Sequence, residues 1–371
     1  YDAKQLGTPK LLILGAQHMF AMFGATVLVP LLTGLSVSTT LLCAGLGTLL
    51  FHFLCKGKVP AFLGSSFAYL GGFAIVSNNG ENPENLPYAC AAVALSGLVY
   101  VLFSALISAF GIRKMMKFFP PVVTGPIIIA IGLNLSSSAI NNCTGSWWIA
   151  IAAILIIVAA NIWGKGMIKI IPILLGVIGS YLLAVIFDAD VRANLVANVS
   201  EAKWFALPIK MEQTVFGLFA SGNVDAHKLL TAVITIVPLS LATMVEHIGD
   251  ICAISSTCGK NFMVDPGFHR TLLGDGLATT LASLFGAPAN TTYGENTGVL
   301  ALSRVYDPRV IRIAACIAIV VSFCPKFAAL VSAMPTATIG GVSLVLYGMI
   351  SAVGVRNVVE NKVDFTNSRN V

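Results

Sequence analysis

Pro288-Ala289-Asn290-Thr291-Thr292-Tyr293-Gly294-Glu295-Asn296-Thr297-Gly298 sets a carboxylate among small polar residues and glycines, in a chain otherwise built for lipid. Ionisable side chains at membrane depth are costly and mark substrate or ion pathways. The stretch runs from a Pro-Ala pair through two hydroxyl residues to an aromatic and a glycine. Pro60-Ala61-Phe62-Leu63-Gly64-Ser65-Ser66-Phe67, with Gly71 just beyond, has the same parts. Each reads as an extended piece followed by a half-helix. Irregular backbone at this depth is tolerated only where it is buried in protein or lines a cavity. A matched pair of short, Gly/Pro-interrupted segments, one in each half of the chain, points to a carrier site at a repeat interface. Ordinary kinks are the plainer alternative, because Gly and Pro are common in membrane helices.

The surrounding composition agrees. The chain has 371 residues, 57% hydrophobic and 10% charged, where a soluble domain carries about 25% charged residues. Its apolar runs approach the ~20 residues that span hydrocarbon. The fold class is therefore an all-α polytopic membrane protein with the lipid bilayer as its solvent. So little charge excludes a nucleic-acid reader, and the net charge of +6 lies in short loops, where it sets topology. Eight cysteines form no C-x-x-C or Cys/His cluster, so neither a disulfide framework nor a metal site is expected. The first apolar run is too long for a cleavable signal peptide, and no small-residue cleavage site follows it.

Twelve spans are expected, at residues 11–32, 38–55, 61–76, 88–110, 122–140, 147–163, 170–187, 229–247 (continuing toward 254), 271–285, 291–305, 311–334 and 339–353. The third and tenth are the broken ones. Lys56 and Lys58, then Arg113, Lys114 and Lys117, then Lys165, Lys260 and Arg270, Arg304 and Arg309, and Arg356 and Lys362 all follow even-numbered spans. The positive-inside rule then puts the N-terminus and every even-to-odd loop in the cytoplasm. Asp188–Lys228 is the long loop, external, with room for a strand or interfacial turn.

Half-helix N-termini offer free N–H groups and a positive dipole end, which suit carbonyl oxygens. Ionised Glu246 and Glu295 accept only, and suit N–H donors. Phe67 and Tyr293 can supply π-faces. A flat ring with N–H and carbonyl groups, such as uracil or xanthine, answers all three. Two carboxylates would repel an inorganic anion, which disfavours an anion exchanger. Glu246 and Asp250 are i, i+4 and share a helix face. Like charges that close in low dielectric resist joint ionisation, which suits the pair to proton coupling. A metal reading of Glu246-His247-x-x-Asp250 lacks further ligands at suitable spacing, so His247 reads as a packing or boundary histidine. Asp275 reads as a structural acid that caps a half-helix or pairs with a lysine, with Lys326 as the candidate. His18 and Asn296 read as structural polar groups within the bundle. No catalytic residue is assigned.

At these residues the chain resembles the nucleobase/ascorbate transporter family, the nucleobase:cation symporters, and within it the bacterial uracil permeases. The resemblance covers essentially the whole chain. It is carried by 17–26 (QHMFAMFGAT), 64–68 (GSSFA), the Glu246 cluster, 290–298 (NTTYGENTG) with the run to Ser303-Arg304, and 340–344 (GGVSL) with Tyr347. It implies fourteen segments in two inverted repeats of seven. Core parts would be 1–118 and 229–336, and gate parts 119–228 and 337–371. It implies no enzyme and no cofactor beyond the proton as coupling ion. It implies a uracil:proton symporter of the cytoplasmic (inner) membrane that forms a homodimer through the gate. Glu246 and Glu295 would hold the N–H groups of the base. Phe67, Tyr293 and Gly294 would present backbone and stacking groups, Ala25 would line the pocket, and Tyr347 would approach from the gate. Glu246 and Asp250 would handle the proton. Asp250 and Asp275 resemble the purine-type members, so a xanthine or uric acid carrier is the alternative. Glu295 stands where those members usually have Gln. Ser303 replaces the usual Thr. Val371 falls where a thirteenth span is expected to start, leaving twelve of the fourteen.

Overall fold

Long apolar runs become helices because a helix satisfies its own backbone in hydrocarbon. The computed structural model describes residues 7–115 and 120–367, with the side chains of Ala25, Arg113, Met115 and Glu295 excepted. Lys117 therefore lies outside the described residues. In chain order the main elements are α1 (Thr8–Thr33), α2 (Val37–Leu54), β1 (Leu63–Ser65), α3 (Leu70–Val76), α4 (Leu86–Phe110), α5 (Pro121–Cys143), α6 (Trp147–Trp163), α7 (Pro172–Phe187) and α8 (Ala189–Glu201). They continue with α9 (Ala226–Ile236), α10 (Leu239–Cys258), α11 (Phe268–Leu284), β2 (Asn290–Thr292), α12 (Glu295–Ser303), α13 (Pro308–Ser322), α14 (Pro325–Ser332) and α15 (Thr336–Glu360).

Among the described residues, six helical stretches are long and apolar enough to cross a membrane: Thr8–Thr33, Val37–Leu54, Pro83–Phe110, Pro121–Cys143, Ala226–Cys258 and Thr336–Glu360. Two bent pairs qualify only when joined, α7 with α8 at 108° and α13 with α14 at 85°. The remaining apolar segments are shorter or broken, and the two expected breaks are present. Each is a three-residue strand followed by a short helix.

Two expectations need correction. The span at 311–334 is not one helix but α13 and α14. Pro325 has no N–H to continue the first helix, and the residue before a proline is pushed to extended backbone. Cys324 duly has φ −104° and ψ 93°. The segment Asp188–Lys228 carries helix α8 rather than a strand. Asp188 starts it by accepting from the backbone N–H groups of Asp190 and Val191, at 3.0 and 3.2 Å, as an N-cap should.

The helices sort by packing partner. α11 packs on α4 and α2, α13 on α2 and α1, and α9 on α4. Separately, α15 packs on α5 and α6, and α6 on α7. These sets meet where α1 packs on α7, α3 on α5 and α10 on α5. Gly24 permits the first of these approaches, because a Cβ there would lie 3.3 Å from the backbone N of Leu174.

Candidate substrate site at the crossing of two half-helices

The two broken segments meet. β1 and β2 pair antiparallel, with Leu63 opposite Thr292, Gly64 opposite Thr291 and Ser65 opposite Asn290. The pairing extends outward through Ser66 N to Ala289 O at 3.0 Å and Tyr293 N to Phe62 O at 2.9 Å. The pair has no third strand, so buried edge groups need other partners. Helix side chains provide them. Leu63 N donates to Thr48 Oγ1 at 3.0 Å, and Thr279 Oγ1 donates to Asn290 O at 2.9 Å. Asn290 Nδ2 donates to Cys43 O at 3.0 Å, and Thr292 N donates to Asp275 Oδ1 at 2.8 Å. Asp275 therefore has a strand N–H and a histidine beside it, not a lysine. Lys326 instead donates to Val199 O at 2.7 Å and lies over the Trp204 ring at 5.1 Å.

Each strand feeds a short helix. Ser66 leads the turn Phe67–Tyr69 into α3, its hydroxyl accepting from Ala68 N at 3.4 Å. In the second repeat Gly294 occupies the cap of α12 and supplies no side-chain cap. Thr297 N donates to Gly294 O at 3.0 Å, and the start of the helix carries the positive end of its dipole. Glu295 is the first residue of α12; its side chain lies outside the described residues.

α10 runs past both starts, touching the Phe67–Tyr69 turn, β2 and α12. Tyr69 and Tyr100 hold it through hydrogen bonds to Thr243. Its face carries Glu246, exposed, and Asp250, half-buried. A Cβ on Gly249 would meet nothing within 4 Å, so open space borders this face. Asp250 reaches the second segment. Its Oδ2 accepts from Thr292 Oγ1 at 3.4 Å, and its Oδ1 would lie 2.8 Å from a Cβ on Gly294.

The other candidate residues are positioned as follows. Half-buried Phe67 packs against two apolar clusters, one containing Tyr293 and the other Tyr347. Tyr347 is buried on α15. The Tyr293 ring is buried in the scaffold, its hydroxyl donating to Ser65 O at 3.5 Å. Tyr293 therefore brings backbone to the crossing, and its ring face is taken up by packing. Ala25 lies on α1, its side chain outside the described residues, beside Thr26, which flanks Gly64. His18 and Asn296 are buried.

His247 is buried, as a packing histidine is, but its partners were not legible in the sequence. Its Nδ1 lies 2.9 Å from Thr292 Oγ1 and 3.4 Å from Asp275 Oδ2, and its Nε2 lies 3.1 Å from Thr271 Oγ1. It is a buried hub joining α10, α11 and β2. The signal was a histidine, an aspartate and threonines set in apolar runs, with nothing to show which would meet.

The sequence profile of the Permease family (Xan_ur_permease) matches residues 9–371. The chain belongs to this family. It is an integral multi-pass membrane protein, a transporter and not an enzyme. Among similar proteins, the uracil permease of Bacillus subtilis is 39% identical over 371 residues, covering 96% of this chain and 81% of its own length. The probable uracil permease of Haemophilus influenzae is 40% identical, covering 96% of this chain and 83% of its own. The putative pyrimidine permease RutG of Escherichia coli is 37% identical, with 97% and 80% covered. In fold, this permease resembles the transmembrane domain of a cyanobacterium bicarbonate transporter, BicA. The TM-score is 0.63 at 14% identity, and 95% of each chain is covered. It also resembles SLC26A9, at TM-score 0.66 and 12% identity, over 97% of this chain and 59% of the other. Both likenesses concern the fold alone.

Proposed function

We propose that this permease imports uracil with a proton across the cytoplasmic membrane, its N-terminus in the cytoplasm. The observation that carries the reading is the crossing itself. Two half-helix starts and the carboxylate face of α10 converge beside open space, and relatives near 40% identity are named uracil permeases. In this reading Glu246 and Glu295 accept the N–H groups of the base, because ionised carboxylates accept and do not donate. Tyr293, its own N–H given to Phe62 O, sets the backbone of Gly294 against a carbonyl of the base, and Phe67 stacks on its face. Ala25 lines the pocket, and Tyr347 closes it from the α15 side. Glu246 and Asp250 take up the coupled proton. The core would comprise 1–118 and 229–336, and the gate 119–228 and 337–371, with the core moving against the gate.

A purine base is the second reading, and Asp250 beside Gly294 is what favours it. Asp275 does not add to it, because its carboxylate is engaged with Thr292 N and His247. The fold shared with a bicarbonate transporter does not favour an anion, given the acidic face of α10.

The test is thermal stabilisation of the detergent-purified permease by a panel of nucleobases across pH, since a ligand that binds only the folded state raises apparent stability. Uracil should stabilise, more strongly as the pH is lowered, and Glu295→Ala should abolish the effect. Stabilisation by xanthine and not uracil selects the purine reading. No stabilisation by any base refutes both.

A further inference from the structure

A chain of hydrogen-bonding groups runs from the candidate site into the scaffold. It begins at Asp250 Oδ2, passes through Thr292 Oγ1 at 3.4 Å, and reaches His247 Nδ1 a further 2.9 Å on. Beyond lie Asp275 Oδ2, 3.4 Å from the same nitrogen, and Thr271 Oγ1, 3.1 Å from Nε2. His247, Asp275, Thr271 and Thr292 are all buried. We propose that Thr292, His247 and Asp275 are positioning residues that transmit the protonation state of Asp250 to strand β2, and so to the start of the second half-helix. This rests on the reading of Asp250 as a proton-coupling group.

Counting donors fixes the logic. A hydroxyl has one proton, and that of Thr271 goes to Phe268 O at 3.0 Å. His247 Nε2 must then donate to Thr271. His247 Nδ1 is hydrogen-bonded to Thr292 Oγ1, and Asp275 Oδ2, which makes no hydrogen bond of its own, stands 3.4 Å from the same nitrogen as the nearest other acceptor for its proton. With Asp250 ionised, Thr292 donates to Asp250, and Nδ1 carries a proton that it donates to Thr292 Oγ1. With Asp250 protonated, Asp250 donates to Thr292, Thr292 turns its proton to the one lone pair of Nδ1, and the proton that Nδ1 carried is displaced to Asp275 Oδ2. One proton enters at Asp250, one shifts within the pair, and none is lost. The other oxygen of Asp275 holds Thr292 N–H at 2.8 Å. That bond is charge-assisted, and so stronger, only while Asp275 is ionised. Protonation of Asp250 thereby loosens the end of β2, two residues ahead of Gly294.

Other titratable groups face the network. Glu246 on α10, Tyr100 on α4, Tyr69 ahead of α3 and Cys55 after α2 interact electrostatically with Asp275, and Glu295 begins the adjoining α12. All stay unchanged in the test variants.

The experiment measures uracil and xanthine affinity of the purified permease from acid to mildly alkaline pH, in wild type, Thr292→Val and Thr292→Ser. Coupling between two sites is typically about 5- to 150-fold. Wild type should show a change of at least about 5-fold with pH. Thr292→Val should bring that ratio toward one, and Thr292→Ser should restore it. A wild type whose affinity ignores pH overturns both the proton-coupling reading and the relay. A pH-dependent wild type with an identical Thr292→Val overturns the relay alone. An acid-minus-alkaline infrared difference spectrum gives a second readout that does not need the valine variant to fold. The carboxyl signal assigned to Asp275, by its loss in Asp275→Asn, should disappear in Asp250→Asn. Its persistence there overturns the relay.

Discussion

Gly64→Ala adds one methyl group where the two broken segments press closest. A Cβ on Gly64 would stand 2.6 and 2.7 Å from Cε2 and Cδ2 of the Tyr293 ring, and 2.7 Å from Thr26 Oγ1 on α1. Ordinary contact begins at 3.4 Å, so the ring must retreat by about 0.8 Å (3.4 less 2.6) for normal packing. It has little room, being buried with its hydroxyl on Ser65 O. Forcing a methyl group into such a contact destabilises by about 1–3 kcal/mol. The displacement matters more for binding, because Tyr293 leads directly into Gly294 and Glu295. Binding constellations tolerate roughly 0.5 Å of error. We therefore expect base affinity to fall about tenfold or more, which is about 1.4 kcal/mol, with a smaller loss of thermal stability in the absence of ligand.

The assay pairs unfolding of the purified Gly64→Ala variant without ligand with its stabilisation by a saturating base. Thr26→Ala in the same chain removes one of the two obstacles and should recover part of both losses. If Gly64→Ala unfolds and binds as wild type does, the ring of Tyr293 does not pack over β1 as described. If stability drops but affinity is untouched, the start of α12 is not positioned by this contact.

Three further outcomes follow from the packing. Lys326→Ala removes the bond to Val199 O and the cation–π contact with Trp204, the latter alone about 0.5–1 kcal/mol; limited proteolysis between residues 199 and 206 should accelerate, and an unchanged digestion pattern would refute the tie. Gln213→Ala removes two hydrogen bonds that clamp the turn between α1 and α2, to Ser36 N and from Nε2 to Gly34 O, each 3.1 Å. Its loss should lower stability by about 1–3 kcal/mol, at about 0.5–1.5 per bond, read by unfolding of the purified protein. Gly97→Val sets a branched side chain where a Cβ already lies 2.8 Å from Thr280 N at the α4–α11 crossing; it should abolish monodisperse purification, and a well-folded variant would disprove that close approach.

Much of this architecture was legible because its causes are local. Pro60 and Pro288, each followed by hydroxyl residues and a glycine, mark extended backbone before a half-helix, and both breaks lie where those residues put them. Asp188 also carries a local signal, an N-cap acid, but the polar content of 189–201 weighs toward a loop, and helix α8 is hidden by it. Pro325 is equally local. The apolar residues on both sides of it read as one span and conceal the bend. What was not legible depends on long-range contact. Asp275 and Thr292 are 17 residues apart, and His247 and Thr292 are 45 apart. No pattern in either neighbourhood names the partner. Lys326 shows the reverse error: an acid and a lysine in apolar surroundings invite pairing, yet α14 turns away after its bend and takes the lysine to Val199 and Trp204.

On the proposed reading, the strand pair is what lets two short helices share one ligand. Three residues per strand form few backbone bonds, and an isolated hairpin-like pair is marginal in stability. Here Thr48, Thr279 and Asp275 satisfy the outer edges from α2 and α11, and the Asn290 side chain ties β2 to Cys43 O of α2, so the pair is fixed to the α2–α4–α11–α13 set. Both half-helix starts then keep a constant separation, set by the register of Gly64 opposite Thr291. A ligand gripped between them cannot be released by opening that crossing without stranding several buried donors, each worth about 1–3 kcal/mol. On the proposed reading, exposure to one side or the other comes from sliding at the seams where α1 meets α7, α3 meets α5 and α10 meets α5. The α1–α7 seam is apolar around Leu28, Ile173 and Val177. This favours motion of the whole crossing as a unit, carrying its ligand, over local opening of either half-helix.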